Sequence, residues 1–152
     1  MMALCKKILS PKAVQDVFIF TYDRLHRYKG AWHLEQKLLF PSHVFLESEN
    51  EEILLKELKR YSVTAKYGNQ LIRMDKEEEQ FLKILCGKEH HLRMSRGIIS
   101  KGKTLITDGP LKGMENRICK IDRHKRLARV TVTTRQGCSL LSAGLEITEK
   151  VI

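Results

Sequence analysis

Between Ala128 and Thr133 the chain alternates strictly: Ala128, Val130 and Val132 are apolar, while Arg129, Thr131 and Thr133 are polar. A period of two puts the apolar side chains on one face of an extended strand and the polar ones on the other. Such a strand must find neighbours and a core on one side only, which commits its surroundings to a half-buried sheet. The neighbouring sequence agrees. After Gly97 no helical period survives, and short β-type runs near Thr104, Ile118, Val130, Ser139 and Ile147 are separated by glycine-containing turns. This spacing predicts a small five-stranded β-barrel over residues 99–152. A core that small is marginal by itself, so contact with the preceding part of the chain would help it.

The first half has a different texture. Residues 1–10 read as the end of a helix stopped by Ser10-Pro11. Val14–Tyr22 and Lys37–Glu47 read as strands, the second interrupted at Pro41, and the basic connection Asp23–Gln36 lies between them at the tip of a hairpin. Ser48 and Glu51 have capping-box spacing ahead of the stripe Ile53, Leu54, Leu58 and Tyr61, a helix ending near Arg60. Val63–Met74 reads as a short extended region turning at Gly68-Asn69. Asp75 and Glu78 then head a second helix with the stripe Phe81, Leu82 and Leu85, stopped by Gly87. Alternating strands and helices suggest an α+β sandwich over 1–87. The polar, aperiodic run beginning at Lys88 reads as a linker over 88–98.

Charge narrows the partner. The net charge is +10, and Arg93–Ile152 alone holds thirteen Lys and Arg against five Asp and Glu, a net of +8. A concentrated positive field favours a polyanion. It is densest at the turn Ile121–Arg126, where Arg123, His124, Lys125 and Arg126 follow one another, with Lys120 and Arg129 on the flanking strands. Arginine forks suit phosphates and stack on bases, so these six residues are the candidate RNA contacts. A solvated turn is the plainer alternative.

Two motifs carry a family resemblance. GKTLITDGPLKG followed by ICKID, within residues 102–129, resembles the KOW motif of the NusG family. Upstream, LLFPSHVFLE resembles the FPGY-type strand of that family's NGN domain. Within the family, RLHRYKGAWH, DGPLKGMEN, KIDRHKR and GLEITEK are most similar to the LoaP-type paralogues. The resemblance implies an NGN-like α/β sandwich followed by a five-stranded KOW barrel. It also implies processive antitermination of selected operons, with RNA polymerase and a nascent RNA hairpin as partners. The NGN surface that docks on the polymerase clamp helices would fall on Phe40, Pro41, His43 and Phe45. His43 stands where tyrosine is usual and Ser42 where glycine is usual, so imidazole offers less apolar area there. Arg24, Arg27 and Lys29 are read as contacts to polymerase or to non-template or upstream DNA, with a solvated hairpin tip an equal alternative. The family's NGN domain opens with a central strand ahead of the first helix, where this sequence already starts within the helix; a truncated start is expected, with loss of that strand in this paralogue the alternative.

Other functions find less support. A general NusG factor with a protein-binding KOW domain and a ribosome-associated KOW protein are the alternatives. No nucleophile–base pair or phosphate-cradling Gly-Lys-Ser/Thr motif stands out, so neither enzymatic activity nor a cofactor is expected. Cys86, His90 and His91 lack further ligands at sensible spacing, and no metal is expected. Four scattered cysteines, no secretory start and no apolar run of roughly 18 residues lead to the expectation of a reduced, cytoplasmic, monomeric protein without membrane contact.

Overall fold

The computed structural model describes residues 2–63, 71–134 and 137–152. The chain is an α+β protein with mixed sheets. It divides into two units, Met1–Ile19 with Phe40–Arg73, and Phe20–Leu39 with Met74–Ile152. The hairpin at Phe20–Leu39 thus groups with the C-terminal residues.

In the first unit, α1 (Met2–Ile8) and α2 (Glu51–Arg60) pack with a two-stranded ribbon of β1 (Asp16–Phe18) and β4 (Phe45–Glu47). The stripe of α2 buries Leu54 and Leu58 among Cys5, Leu9, Ala13, Val14, Val17 and Val63, while Tyr61 is exposed. Ser10 ties the first segment to α2, its backbone N–H and hydroxyl both donating to the Glu57 carboxylate at 2.8 and 2.6 Å. Those two bonds hold the Glu57 pKa below its ordinary value. The expected Ser48 cap is replaced by Asn50, whose side chain accepts from the Ile53 N–H at 3.1 Å. The Ser48 hydroxyl instead donates to the Ala13 carbonyl at 2.5 Å; a long-range acceptor outcompetes the local cap. The expected turn at Gly68-Asn69 lies outside the described residues.

In the second unit, β2 (Thr21–Tyr28) and β3 (Ala31–Leu38) form a hairpin, and β5 (His91–Leu92) adds to β2 in parallel. The basic segment read as a connection is therefore ladder nearly throughout. Its turn is Lys29-Gly30 alone, both with positive φ (49° and 79°), the backbone that two-residue hairpins require. Val14–Tyr22 is not one strand, because β1 ends at Phe18 and the chain enters β2 at Thr21. Similarly β3 ends at Leu38 and β4 begins at Phe45, with Pro41 in the irregular stretch between. Helix α3 (Lys76–Cys86) starts at the Asp75 cap and stops at Gly87, φ 70°, as the sequence indicates.

The remaining strands are β6 (Ser95–Ser100), β7 (Lys103–Asp108), β8 (Ile118–Asp122), β9 (Leu127–Thr134) and β10 (Gly137–Val151). They form one five-stranded sheet in the order β7-β6-β10-β9-β8. Two corrections arise here. The runs at Ser139 and Ile147 are a single strand, and the fifth strand, β6, begins within residues expected to be linker. β10 runs antiparallel to β9 from Gly137 to Gly144, then parallel to β6 from Leu145 to Val151. Ala128, Val130 and Val132 are buried on β9 as their alternation requires, with Leu141, Ala143 and Leu145 of β10.

Candidate nucleic-acid interface

The β8–β9 connection is built by its own sequence. Asp122 closes the strand, and its carboxylate accepts from the Lys125 N–H at 2.9 Å. That bond, with the Lys125 and His124 charges nearby, keeps the Asp122 pKa below its usual value. Arg126 takes a left-handed backbone, φ 54°, and its carbonyl accepts from the Leu145 N–H at 3.0 Å. Arg123, His124 and Lys125 are exposed between these anchors. The turn thus fixes its backbone while leaving three basic side chains in water.

Lys120 and Arg129 continue the surface onto the outer face of the sheet, both exposed and directly opposite each other in the β8–β9 register. Like charges facing across a ladder are destabilising unless an anion relieves them. The Arg129 guanidinium also donates to the Ser142 hydroxyl, whose residue lies opposite it on β10. Residues from β8, β9 and β10 therefore form one row.

Arg126 departs from the expectation. Its guanidinium lies 3.9 Å from the ring centroid of Trp32 on β3 and 3.3 Å from the Glu146 carboxylate on β10. Both partners of that ion pair are only 26% and 25% exposed. Trp32 and Arg126 are far apart in sequence, and neither periodicity nor local charge signals the contact. The stack joins hairpin β2–β3 to the basic turn. β2 also meets the sheet at Gly144, where a side chain would collide with the Asp23 backbone carbonyl and the Met94 sulfur.

A polar network ties the start of β2 to β5 and Met94. The His91 ring nitrogens lie 2.7 Å from Asp23 Oδ1 and 2.7 Å from Thr21 Oγ1, and the Met94 N–H donates to Asp23 Oδ2 at 3.2 Å. His90, considered with Cys86 as a metal candidate, instead meets the Phe20 ring edge-on at 5.4 Å. Burial raises the Cys86 pKa to about 12.

The three hairpin cations do not share a face. Arg24 and Arg27, three positions apart on a strand, point oppositely. Arg24 sits opposite Glu35, is half-buried, and its Nε is buried without a hydrogen-bond partner among the described residues. Arg27 is exposed and sits directly opposite Trp32. Lys29 is in the turn, its ammonium 5.4 Å from the Tyr28 ring centroid.

In the other unit, Phe40, His43 and Phe45 form an aromatic cluster with Phe18. Phe40 and Phe45 have centroids 5.3 Å apart, Phe18 and Phe45 stack at 5.7 Å, and His43 lies 6.2 and 6.4 Å from Phe40 and Phe45. Phe18 and Phe45 alternate with Val17 and Leu46, so the ribbon turns one face to the core and the aromatic face outward. His43 and Pro41 are exposed and the three phenylalanines half-buried.

The sequence matches no protein-family model and no curated protein.

Proposed function

We propose that the chain is a regulator of transcription elongation of the NusG type, closest in role to the LoaP-type antiterminators. On this reading the five-stranded sheet is a KOW barrel that holds a nascent RNA hairpin, and the aromatic ribbon is the NGN-type surface that docks on the polymerase clamp helices. The observation that carries it is the distribution of cations. Arg123, Lys125, Lys120 and Arg129 are exposed and without an ion pair among the described residues, on one turn and its flanking strands. Several cations elsewhere do have carboxylate partners, namely Lys37 with Glu35, Lys56 with Glu52, Lys83 with Glu79, and Arg73 with Glu51. A surface that leaves its densest positive charge unneutralised is suited to phosphates.

Transcription in vitro across a terminator, with and without an upstream leader hairpin, tests the role. Hairpin-dependent readthrough is expected, lost in Arg123→Ala/Lys125→Ala for want of RNA and in His43→Ala/Phe45→Ala for want of polymerase. Unchanged readthrough on addition of the protein defeats the proposal. A protein-binding barrel is the second reading, favoured by Leu140, 56% exposed on the outer face of β10. It predicts that Leu140→Ser impairs function while RNA affinity is unaltered.

A further inference from the structure

Arg126 and the hairpin it touches do different work from the rest of the basic turn. A guanidinium already stacked on an indole and paired with a carboxylate has little field left for a phosphate. Arg27, by contrast, is exposed, has no ion pair among the described residues, and stands directly across the ladder from Trp32. Directly opposed residues have Cβ atoms about 4.5–5.5 Å apart. Arg27, Trp32 and Arg126 therefore follow one another across the junction, and the exposed Arg123 and Lys125 continue from Arg126 along the turn.

We propose that hairpin β2–β3 forms a second wall of the RNA site, in which Arg27 binds backbone phosphate alongside Arg123 and Lys125. Arg126 is the positioning residue that docks this wall through Trp32 and Glu146. The ligand chemistry is the sugar–phosphate backbone of a folded RNA. The free donors are long exposed cations, and the aromatic ring at the junction is already occupied by Arg126. This inference rests on the RNA reading above and extends it to a segment eighty or more residues earlier in the chain.

The test uses the full chain and a fluorescein-labelled stem-loop RNA pool with a randomised loop, titrated at several salt concentrations. Each phosphate contact contributes about 0.7–0.9 to the slope of log affinity against log salt. Arg27→Ala and Arg123→Ala are each expected to lower the slope by about that amount. If Arg123→Ala lowers it and Arg27→Ala does not, the hairpin wall is refuted and the RNA site stands. If neither variant changes the slope, the RNA site itself fails, and the wall with it.

The positioning role is read from a pair. Arg126→Met should reduce the slope by the Arg27 share, and adding Arg27→Ala to it should cost nothing more. Full additivity would make Arg126 a phosphate contact and overturn its assignment. Trp32→Phe, which keeps a ring for the guanidinium, should retain the wild-type slope where Trp32→Ala does not. Loss of slope in both would show that the ring contact is not what docks the wall.

Discussion

A double-mutant cycle on Trp32 and Arg126 tests the junction in free energy. Trp32→Leu keeps apolar bulk without the ring face, and Arg126→Met keeps the aliphatic stem without the charge. The cation–π contact ranges from about 0.5 kcal/mol in water to about 2 when desolvated. With the guanidinium 3.9 Å from the ring centroid and Arg126 26% exposed, about 1 kcal/mol of coupling is expected. Arg126→Met also removes the Glu146 ion pair, worth roughly 0.2–1 kcal/mol when solvated. That loss occurs whether or not Trp32 is present, so the cycle cancels it. The single variant should therefore lose about 1–2 kcal/mol, of which half or more reappears as coupling. For a unit of about 100 residues each kcal/mol moves Tm by roughly 4–8 °C. The chain has one tryptophan, Trp32, so its fluorescence reports the junction in the Arg126 variant. Urea unfolding followed by far-UV circular dichroism supplies all four corners. Coupling below about 0.3 kcal/mol, the ordinary scatter of additive sites, would refute the stack and the docking derived from it.

Other consequences are checked separately. Gly144→Ala forces a methyl against the Asp23 carbonyl, where the sulfur of Met94 can move but the backbone cannot; a loss of about 1–3 kcal/mol is expected, and an unchanged melt would show that β10 and β2 are further apart. Ser10→Ala removes both the hydroxyl donor and its restraint on Glu57. Because the Glu57 pKa is depressed in the folded chain, this stabilisation is present above about pH 4.3 and lost as pH falls through the lower folded value. Wild type should therefore melt above the variant at pH 7, and the two should converge in acid; a constant gap would contradict this. Iodoacetamide should alkylate exposed Cys119 and Cys138 in the native chain, with Cys5 and Cys86 labelled only after unfolding; native labelling of Cys86 on mass spectrometry would contradict its burial.

Local signals were readable where local forces decide. Asp75 and Gly87 bracket α3 because a cap and a left-handed stop act within one turn, and the alternation on β9 is sharp because its buried members are apolar. β6 escaped detection for an equally physical reason. It also alternates, but its inward residues are Ser95 and Gly97, both buried, so no hydrophobic pattern marks it. Close packing explains the choice. The Ser95 Cα is only 2.6 Å from where a Cβ on Gly109 would stand, and a Cβ on Gly97 would lie 2.7 Å from the Leu105 carbonyl. Ser95 Oγ accepts from the Leu111 N–H at 3.0 Å, so its polarity is satisfied inside. At the candidate interface the basic turn was visible as composition. Which of its arginines is occupied depended on Trp32 and Glu146, contacts no local pattern encodes.

The placement of β10 bears on how the chain reaches this state. It follows in sequence every strand with which it pairs, and its N-terminal half meets β9 while its C-terminal half meets β6. During synthesis β6–β7 and β8–β9 can close as local hairpins, but they remain separate until the strand between them emerges. Hairpin β2–β3, made first, waits longest for the Arg126 side of its junction, with Leu34 and Leu38 exposed even in the finished chain. Non-local closure of this kind slows folding. Protection of the amides shared by β10 and β6 should therefore be among the last to appear in pulse-labelled refolding.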